Sequence, residues 1–180
     1  RTSFYAESGG QVGDTGVITL GDTTLTVLDT KKTNGIYLHE CQVENGSVKV
    51  GDVVTLAIDE TRRNAIRRNH SSAHLLQAAL RAVLGTHVEQ AGSYVDENVC
   101  RFDFTHFVAL TENEIKQVEA LVNAHILAAN EIVTREMDIE SARKEGAMAL
   151  FGEKYGNVVR LVKMGDVSAE LCGGTHLSNT

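Results

Sequence analysis

The spacing of hydrophobic residues along the chain changes near residue 59. Before it, Thr, Val, Ile and Leu alternate with polar residues in short segments, separated by dipeptides that favour hairpin turns, such as Gly21-Asp22 and Asn34-Gly35. This alternation predicts strands over 15–20, 23–28, 36–43 and 53–58, with a further hairpin signal at Asn45-Gly46. We therefore expect residues 1–58 to form a small β-rich lobe, an antiparallel barrel or sandwich without a helix.

From Asp59 onwards the hydrophobic spacing is that of a helix, with a period of about 3.6 residues. Asp59 is a favourable N-cap and Gly85 a favourable C-terminal stop, so one long helix is predicted to end at Leu84. The remaining pattern predicts a helix with a capping box from Thr111 to about residue 131, a short helix over 141–151, and strands over 88–95, 99–104, 132–139, 158–163 and 168–172. Residues 59–180 are therefore expected to form a second lobe of mixed helices and strands.

Composition and charge restrict the classes of function. The chain has 180 residues, 42% of them hydrophobic, which is enough to bury a core as one domain or as two small packed lobes. No apolar run is long enough to cross a membrane and the start lacks a signal-peptide pattern, so we expect a cytoplasmic protein without a membrane partner. The formal net charge of -7 argues against an autonomous nucleic-acid-binding protein.

A basic stretch interrupts this acidic composition. Residues 61–81 contain no Asp or Glu, but they contain Arg62, Arg63, Arg67, Arg68 and Arg81. On the predicted helix, Arg63 and Arg67 share a face with two histidines. These guanidinium groups are candidates for binding RNA phosphates, and a solvated helix face paired with carboxylates is the alternative.

Two pairs of possible metal ligands stand far apart in the sequence. His70 and His74 are four residues apart on the predicted helix, and Cys172 and His176 have the same spacing near the end of the chain. Zn2+ favours imidazole nitrogen and thiolate sulfur in sets of four, and a helix places residues i and i+4 on one face. The spacing predicts one zinc site. The fold class is therefore α+β, with a small N-terminal antiparallel β-barrel-like lobe packed on an α/β lobe that contains zinc.

The ligand set leaves the role of the metal open. Ser71 occupies the place of the glutamate in H-E-x-x-H, so peptide hydrolysis of the zincin kind is disfavoured. Four protein ligands are typical of a structural zinc site, whereas hydrolytic zinc normally keeps one position for water. A catalytic ion would have to become five-coordinate, or Cys172 would have to bind it weakly.

Four motifs in order carry a family resemblance. They are Phe4-Tyr5-Ala6-Glu7-Ser8-Gly9-Gly10-Gln11-Val12-Gly13-Asp14, His70-Ser71-Ser72-Ala73-His74, Gln90-Ala91-Gly92-Ser93 and Cys172-Gly173-Gly174-Thr175-His176. With these motifs the chain resembles, over essentially all 180 residues, the editing domain of alanyl-tRNA synthetases. That domain is related to the free-standing AlaX trans-editing proteins and, more distantly, to the editing domain of threonyl-tRNA synthetases.

The resemblance implies an aminoacyl-tRNA deacylase that hydrolyses the ester of serine or glycine on alanine tRNA and spares Ala-tRNA. A pocket sized for alanine cannot exclude glycine by size, and it rejects a small added hydroxyl poorly, so a second site must act afterwards. The implied partners are the acceptor end of alanine tRNA and the other domains of the synthetase. The acidic charge and a start at Arg1 without methionine favour part of a synthetase. The alternatives are a free-standing AlaX-like deacylase, a tRNA-binding module with structural zinc, and a metal-dependent hydrolase of small esters.

The resemblance also implies residue roles. One Zn2+ ion is expected at His70, His74, Cys172 and His176, whereas the tRNA contacts expected at Arg63 and Arg67 rest on the shared helix face. The implied catalytic residues are Gln90, Cys172 and His74, and the implied substrate contacts are Gly9, Gly10, Gln11, Ser72 and Gln90. Ser72 is among the expected substrate contacts because Ala73 replaces a threonine found in some relatives, and Ser72 could supply the missing hydroxyl. For the glycine-rich segment the alternative is an ordinary loop, and for Gln90 it is a surface position on a strand.

Overall fold

The computed structural model of the chain describes residues 1–148 and 156–180. The architecture is α+β, with three antiparallel sheets and three helices among those residues. In chain order the elements are β1 (Gly16–Leu20), β2 (Thr23–Thr33), β3 (Ile36–Asn45), β4 (Thr55–Ile58), α1 (Glu60–Leu84), β5 (Gln90–Val95), β6 (Cys100–Phe104), α2 (Glu112–Leu127), β7 (Ile132–Asp138), α3 (Ile139–Lys144), β8 (Val158–Met164) and β9 (Ser168–Leu171).

The first sheet is open, so the prediction of a barrel-like lobe was wrong. Its strand order is β3-β2-β1-β4, and within residues 1–58 the edge strands β3 and β4 do not pair with each other. The reason lies in the connection after Asn45-Gly46, which carries the chain past two strands so that β4 pairs with β1. Gly21-Asp22 and Asn34-Gly35 do form the predicted hairpin turns, the latter with φ of 51° and 80°.

Helix α1 has the predicted bounds. Asp59 caps its first turn by accepting a hydrogen bond from the backbone N–H of Arg62, and Gly85 ends it with φ of 116°. Both faces of the helix are covered, because Ile66 and Leu80 are buried on one side and His70 and His74 on another. The helix that carries the histidines is therefore fixed along most of its length.

Two apolar clusters surround this helix. Ala79 and Leu80 pack against Val118 of α2 and against Val88, which precedes β5. Leu75 packs with Ile132 of β7 and with two residues of β8, Val162 and Met164. The sheet of order β7-β8-β9 is thus held against the middle of α1, and the segment after β9 lies beside the helical histidines.

The later helices differ from prediction at their ends. The capping box at Thr111 is present, but α2 ends at Leu127, before the predicted residue 131. Helix α3 begins two residues before the predicted 141, where Asp138 caps it, and it ends at Lys144. The last predicted helical residues, 149–151, lie outside the described part of the chain. No helix in the described ranges is long and apolar enough to cross a membrane.

Candidate metal centre and adjoining pocket

Four side chains from two distant segments meet beside α1. His70 and His74 come from the helix, and Cys172 and His176 from the segment that follows β9. Their ligand atoms all lie within 4.8 Å of one another, and Sγ of Cys172 is 3.5 Å from Nε2 of His70 and 3.3 Å from Nε2 of His176. Ligand atoms of a tetrahedral zinc ion lie roughly 3.3–3.8 Å apart. Small side-chain shifts would therefore bring all four atoms to one metal ion.

Two of the three histidine rings have a hydrogen-bond partner at Nδ1, and the third has a carboxylate nearby. Oε1 of Gln11 lies 2.7 Å from Nδ1 of His70, and Oγ of Ser71 lies 3.3 Å from Nδ1 of His176. The third ring is that of His74, and a carboxylate lies beside its Nδ1 atom. These contacts favour a proton on Nδ1 and leave Nε2 for a metal, which is how outer partners orient metal-binding histidines.

The carboxylate belongs to Glu170, which the sequence did not indicate. Its Oε2 lies 2.9 Å from Nδ1 of His74, although the two atoms are not aligned as in a good hydrogen bond. Its other oxygen accepts a hydrogen bond from the Ser168 hydroxyl at 2.7 Å. The available signal was strand periodicity, since Ser168, Glu170 and Cys172 alternate along β9 and its continuation and share one face.

Gln11 contacts the candidate metal ligand His70, although a substrate contact was expected at this position. Its side chain is fully buried. Besides facing His70, Oε1 accepts a hydrogen bond from the backbone N–H of Thr175 at 2.8 Å, and Nε2 lies 3.0 Å from the Thr175 hydroxyl. The amide is thus occupied by the helix and by the loop after β9. Gln11 is a positioning residue in this geometry.

The loop between Cys172 and His176 is tightly shaped. A Cβ atom on Gly174 would lie 2.0 Å from Cε1 of His70, so any side chain there would displace the ring. Nη1 of Arg160 donates to the backbone carbonyls of Cys172 at 2.8 Å and of Gly174 at 2.6 Å. Glycine and arginine together hold the loop against the histidine. Nothing in the sequence indicated that Arg160 would bind this loop.

The ionisable groups of the cluster perturb one another. Burial raises the pKa of the Cys172 thiol, but hydrogen bonds with His176, His70 and His74 outweigh it and hold the pKa well below its usual range. Burial lowers the pKa of His74, yet the Glu170 carboxylate raises it to about 10. Burial lowers the pKa of His176 to about 4. A thiolate at Cys172 is the form that binds metals.

A small cavity opens directly onto this cluster. Its volume is about 30 Å3, and it is lined by Gly9, His70, Ala73, His74, Gln77, Gln90, Ser93, Phe102, Glu170, Leu171 and Cys172. Gly9 and Gln90 were expected there. Gln77, which is buried one helical turn after Ala73, and Ser93 were not expected. The cavity therefore combines metal ligands with amide, hydroxyl and carboxylate groups.

Two predicted substrate contacts lie elsewhere. Gly10 has φ of 84°, and a Cβ atom on it would lie 2.6 Å from the carbonyl oxygen of Ser93, so it allows the first segment to pack on β5. Ser72 is partly buried on α1 but does not line the cavity. The serine that reaches the cluster is its neighbour Ser71, because the helical turn directs Ser72 away from the loop after β9.

The arginines of α1 mostly bind other parts of the chain. Arg63 is buried in an ion pair with Asp14, with Nε 2.7 Å from Oδ1, so the interpretation of Arg63 as a tRNA contact is revised. Arg62 binds Glu97 at 3.0 Å and the carbonyl of Gly13 at 2.8 Å. The contacts with Asp14 and Gly13 join the first segment to the helix, and the contact with Glu97 joins the helix to the turn between β5 and β6.

Arg67, the other predicted tRNA contact, is partly buried. Its Nη1 lies 3.3 Å from Oδ1 of Asn64, and its Nε is buried without a hydrogen bond to any described residue. Arg68 is exposed. The arginines predicted to form a basic stripe on the helix therefore mainly bind other residues of the same chain.

Comparison with known proteins finds similarity to tRNA synthetases. The family model of class II (A) tRNA synthetases matches residues 1–62, and the model of the threonyl and alanyl tRNA synthetase second additional domain matches residues 159–180. The alanine–tRNA ligase of Acetivibrio thermocellus is 59% identical over the whole chain, that of Legionella pneumophila 51%, and that of Nitrosomonas europaea 54% over 99% of it. The chain spans about a fifth of the length of these curated relatives, 21% in each case.

Proposed function

We propose that this chain, which is homologous along its length to a segment of alanine–tRNA ligases, is an editing deacylase for mischarged alanine tRNA. The reaction is hydrolysis: water adds to the ester carbonyl carbon, the bond to the ribose oxygen breaks, and a free amino acid and uncharged tRNA result. The observation that carries the proposal is the small polar cavity beside the four candidate ligands. A synthetase segment with such a cavity has the parts of a hydrolytic site that acts on a small aminoacyl group.

Zn2+ is the ion that best fits the donor set. Three imidazole nitrogens and one thiolate match its preferred ligands, and the outer partners of the rings are those that metal-binding histidines usually have. When bound, Zn2+ would supply Lewis-acid polarisation of a carbonyl oxygen or of water. The four ligands also join α1 to the segment after β9, so the ion would have a structural effect as well.

The size of the cavity favours small amino acids. A volume of about 30 Å3 is more than the roughly 10–15 Å3 that one water molecule needs. It can receive the hydroxymethyl group of serine, the methyl group of alanine, or a water molecule beside glycine. The small size of the cavity favours small side chains but does not by itself spare alanine.

Polar groups supply the remaining selectivity. Gln77, Gln90 and Ser93 line the cavity and can exchange hydrogen bonds with a serine hydroxyl. With glycine, a water molecule can keep those bonds. The methyl group of alanine would displace that water without replacing its hydrogen bonds, which weakens binding. The same cavity thus accepts serine and glycine and disfavours alanine.

The test uses a variant of one metal ligand and a matched control. In His74→Ala the chain should still fold, as judged by circular dichroism, while release of serine from Ser-tRNA(Ala) falls to the rate in buffer. The control, His125→Ala on α2, should release serine as the wild type does. Full activity of His74→Ala would refute the proposed site, and loss of the fold itself would favour the tRNA-binding module with structural zinc.

A further inference from the structure

Gln77 is a polar side chain inside the fold whose amide is not used by the chain itself. The residue is only 5% exposed. Gln11 is buried as well, but its amide exchanges hydrogen bonds with Thr175. The amide of Gln77 has no hydrogen bond to any residue within 1–148 and 156–180. Because a buried polar group without a partner is costly and rare, this amide indicates a place for a ligand or for water.

The position of Gln77 puts this amide next to the candidate metal centre. His70, His74 and Gln77 follow one another along one face of α1. Long side chains on a helix point back towards its N-terminus, which accounts for Gln77 sharing the small cavity with His74 and Ala73. Ala73 presents only a methyl group to the cavity. A small group that enters the cavity therefore lies within reach of both the amide and the candidate metal ligands.

The other amide and hydroxyl side chains of the cavity differ from Gln77 in their access to water. Gln90 and Ser93 belong to β5 and are half-buried, so solvent can replace a hydrogen bond that is lost there. Gln77 is almost completely covered by the fold. The group that fills the cavity therefore decides whether the amide of Gln77 has a partner.

We propose that Gln77 is the residue that discriminates serine and glycine from alanine in this site. The inference rests on the proposed function, because it names the group by which the small cavity selects its substrate. A serine hydroxyl can accept a hydrogen bond from the amide or donate one to it. With glycine, a water molecule can take that place, whereas the methyl group of alanine fills it without a hydrogen bond.

Gln77 therefore acts mainly against alanine. Leaving a buried amide without a partner weakens binding about 10- to 100-fold. A site that is built to bond a hydroxyl rejects an analogue without the hydroxyl for the same reason. Gln90, which was expected to contact the substrate, has a smaller effect on this selection, because water compensates at a half-buried position.

The first experiment measures binding of three stable analogues to the zinc-loaded chain by isothermal titration. Serine, glycine or alanine is joined by an amide bond to an amino-deoxyadenosine. The wild type should bind the alanine analogue about 10- to 100-fold more weakly than the serine analogue. Gln77→Met, which keeps the side-chain volume and removes the amide, should bind all three with similar affinity. Failure of the wild type to bind any of them would overturn the inference.

Two further glutamines serve for comparison in the same titrations. Gln90→Met should keep most of the difference between the serine and alanine analogues. Gln117→Met, at an exposed position on α2, should bind the analogues as the wild type does. A loss of discrimination in Gln90→Met but not in Gln77→Met would overturn the role of Gln77.

A second measurement tests the unbonded amide without any substrate. Gln77→Met should unfold at the same urea concentration as the wild type or at a higher one, because it removes an amide that the chain does not bond. Its zinc affinity should be that of the wild type, because the amide bonds no candidate metal ligand. A clearly lower urea midpoint or zinc affinity would show that Gln77 supports the fold or the metal centre, and it would overturn the inference.

Single-turnover release from charged tRNA separates this inference from the proposed function. In Gln77→Met, the ratio of serine release to alanine release should fall about tenfold, chiefly because alanine leaves faster. The same ratio in the wild type and in Gln77→Met would overturn the role of Gln77 and keep the deacylase. Discrimination among the analogues that depends on Gln77, without any release of serine, would keep that role and refute the deacylase.

Discussion

Nδ1 of His70 lies 2.7 Å from Oε1 of Gln11, and the same oxygen accepts the backbone N–H of Thr175. One amide oxygen thus joins the glycine-rich segment, the long helix and the loop after β9. The glycine-rich segment near the start of the chain therefore contacts the candidate metal centre, which includes residues near the end of the chain. Residues far from any ligand in sequence should affect metal binding through this contact.

Gln11→Ala should lower zinc affinity about 10- to 100-fold, because His70 loses the partner that fixes its ring. The measurement is competition for zinc against a coloured chelator. Gln42→Ala, which changes an exposed glutamine on β3, is the control and should bind zinc as the wild type does. Equal zinc affinity of Gln11→Ala and the wild type would show that the amide does not support the centre.

Two neighbouring glycines should respond in opposite ways. A Cβ atom on Gly174 would overlap the ring of His70, whereas one on Gly173 would meet nothing within 4 Å. Gly174→Ala should therefore lose about tenfold or more in zinc affinity by displacing a ligand, and Gly173→Ala should keep it. The same chelator competition compares them, and similar zinc affinities for the two variants would contradict the loop geometry.

Arg63→Ala should destabilise the fold by about 3–5 kcal/mol, because it leaves the Asp14 carboxylate buried without its partner. Urea unfolding measures the free energy. Arg68→Ala, at an exposed position, should change it by less than about 0.5 kcal/mol. The salt dependence of serine release should be the same in Arg63→Ala as in the wild type, and a reduced slope would return this residue to the tRNA interface.

Glu170→Gln keeps the shape of the side chain and removes its charge from His74. We expect zinc affinity to fall about tenfold, since carboxylate partners of metal-binding histidines raise their strength as ligands. Glu136→Gln, at an exposed position on β7, is the control. Isothermal titration with zinc measures both, and an unchanged affinity in Glu170→Gln would assign the carboxylate to another role.

Features determined by nearby residues were predictable from the sequence. The bounds of α1 follow from Asp59 and Gly85, and the pairing of His70 with His74 follows from the helical repeat. The two ligand pairs were joined by chemistry, because each pair alone lacks two ligands of a zinc site. These are local patterns whose consequence does not depend on how distant segments pack.

Features determined by distant segments were not predictable. The ion pair of Arg63 with Asp14 joins residues 49 apart, and nothing in either neighbourhood indicates the partner. The open first sheet depends on β4 pairing with β1, which the turn signal at Asn45-Gly46 does not predict. Glu170 acquires its role only when β9 lies beside α1. Each case requires tertiary contacts that periodicity does not specify.

The most direct test of the central claim is single-turnover release of amino acid from Ser-tRNA(Ala) and from Ala-tRNA(Ala) by the chain with one equivalent of zinc. We predict that serine leaves at least about tenfold faster than alanine, because only serine can satisfy the polar groups of the small cavity. Equal release of serine and alanine, or release of serine no faster than in buffer, would contradict an editing function.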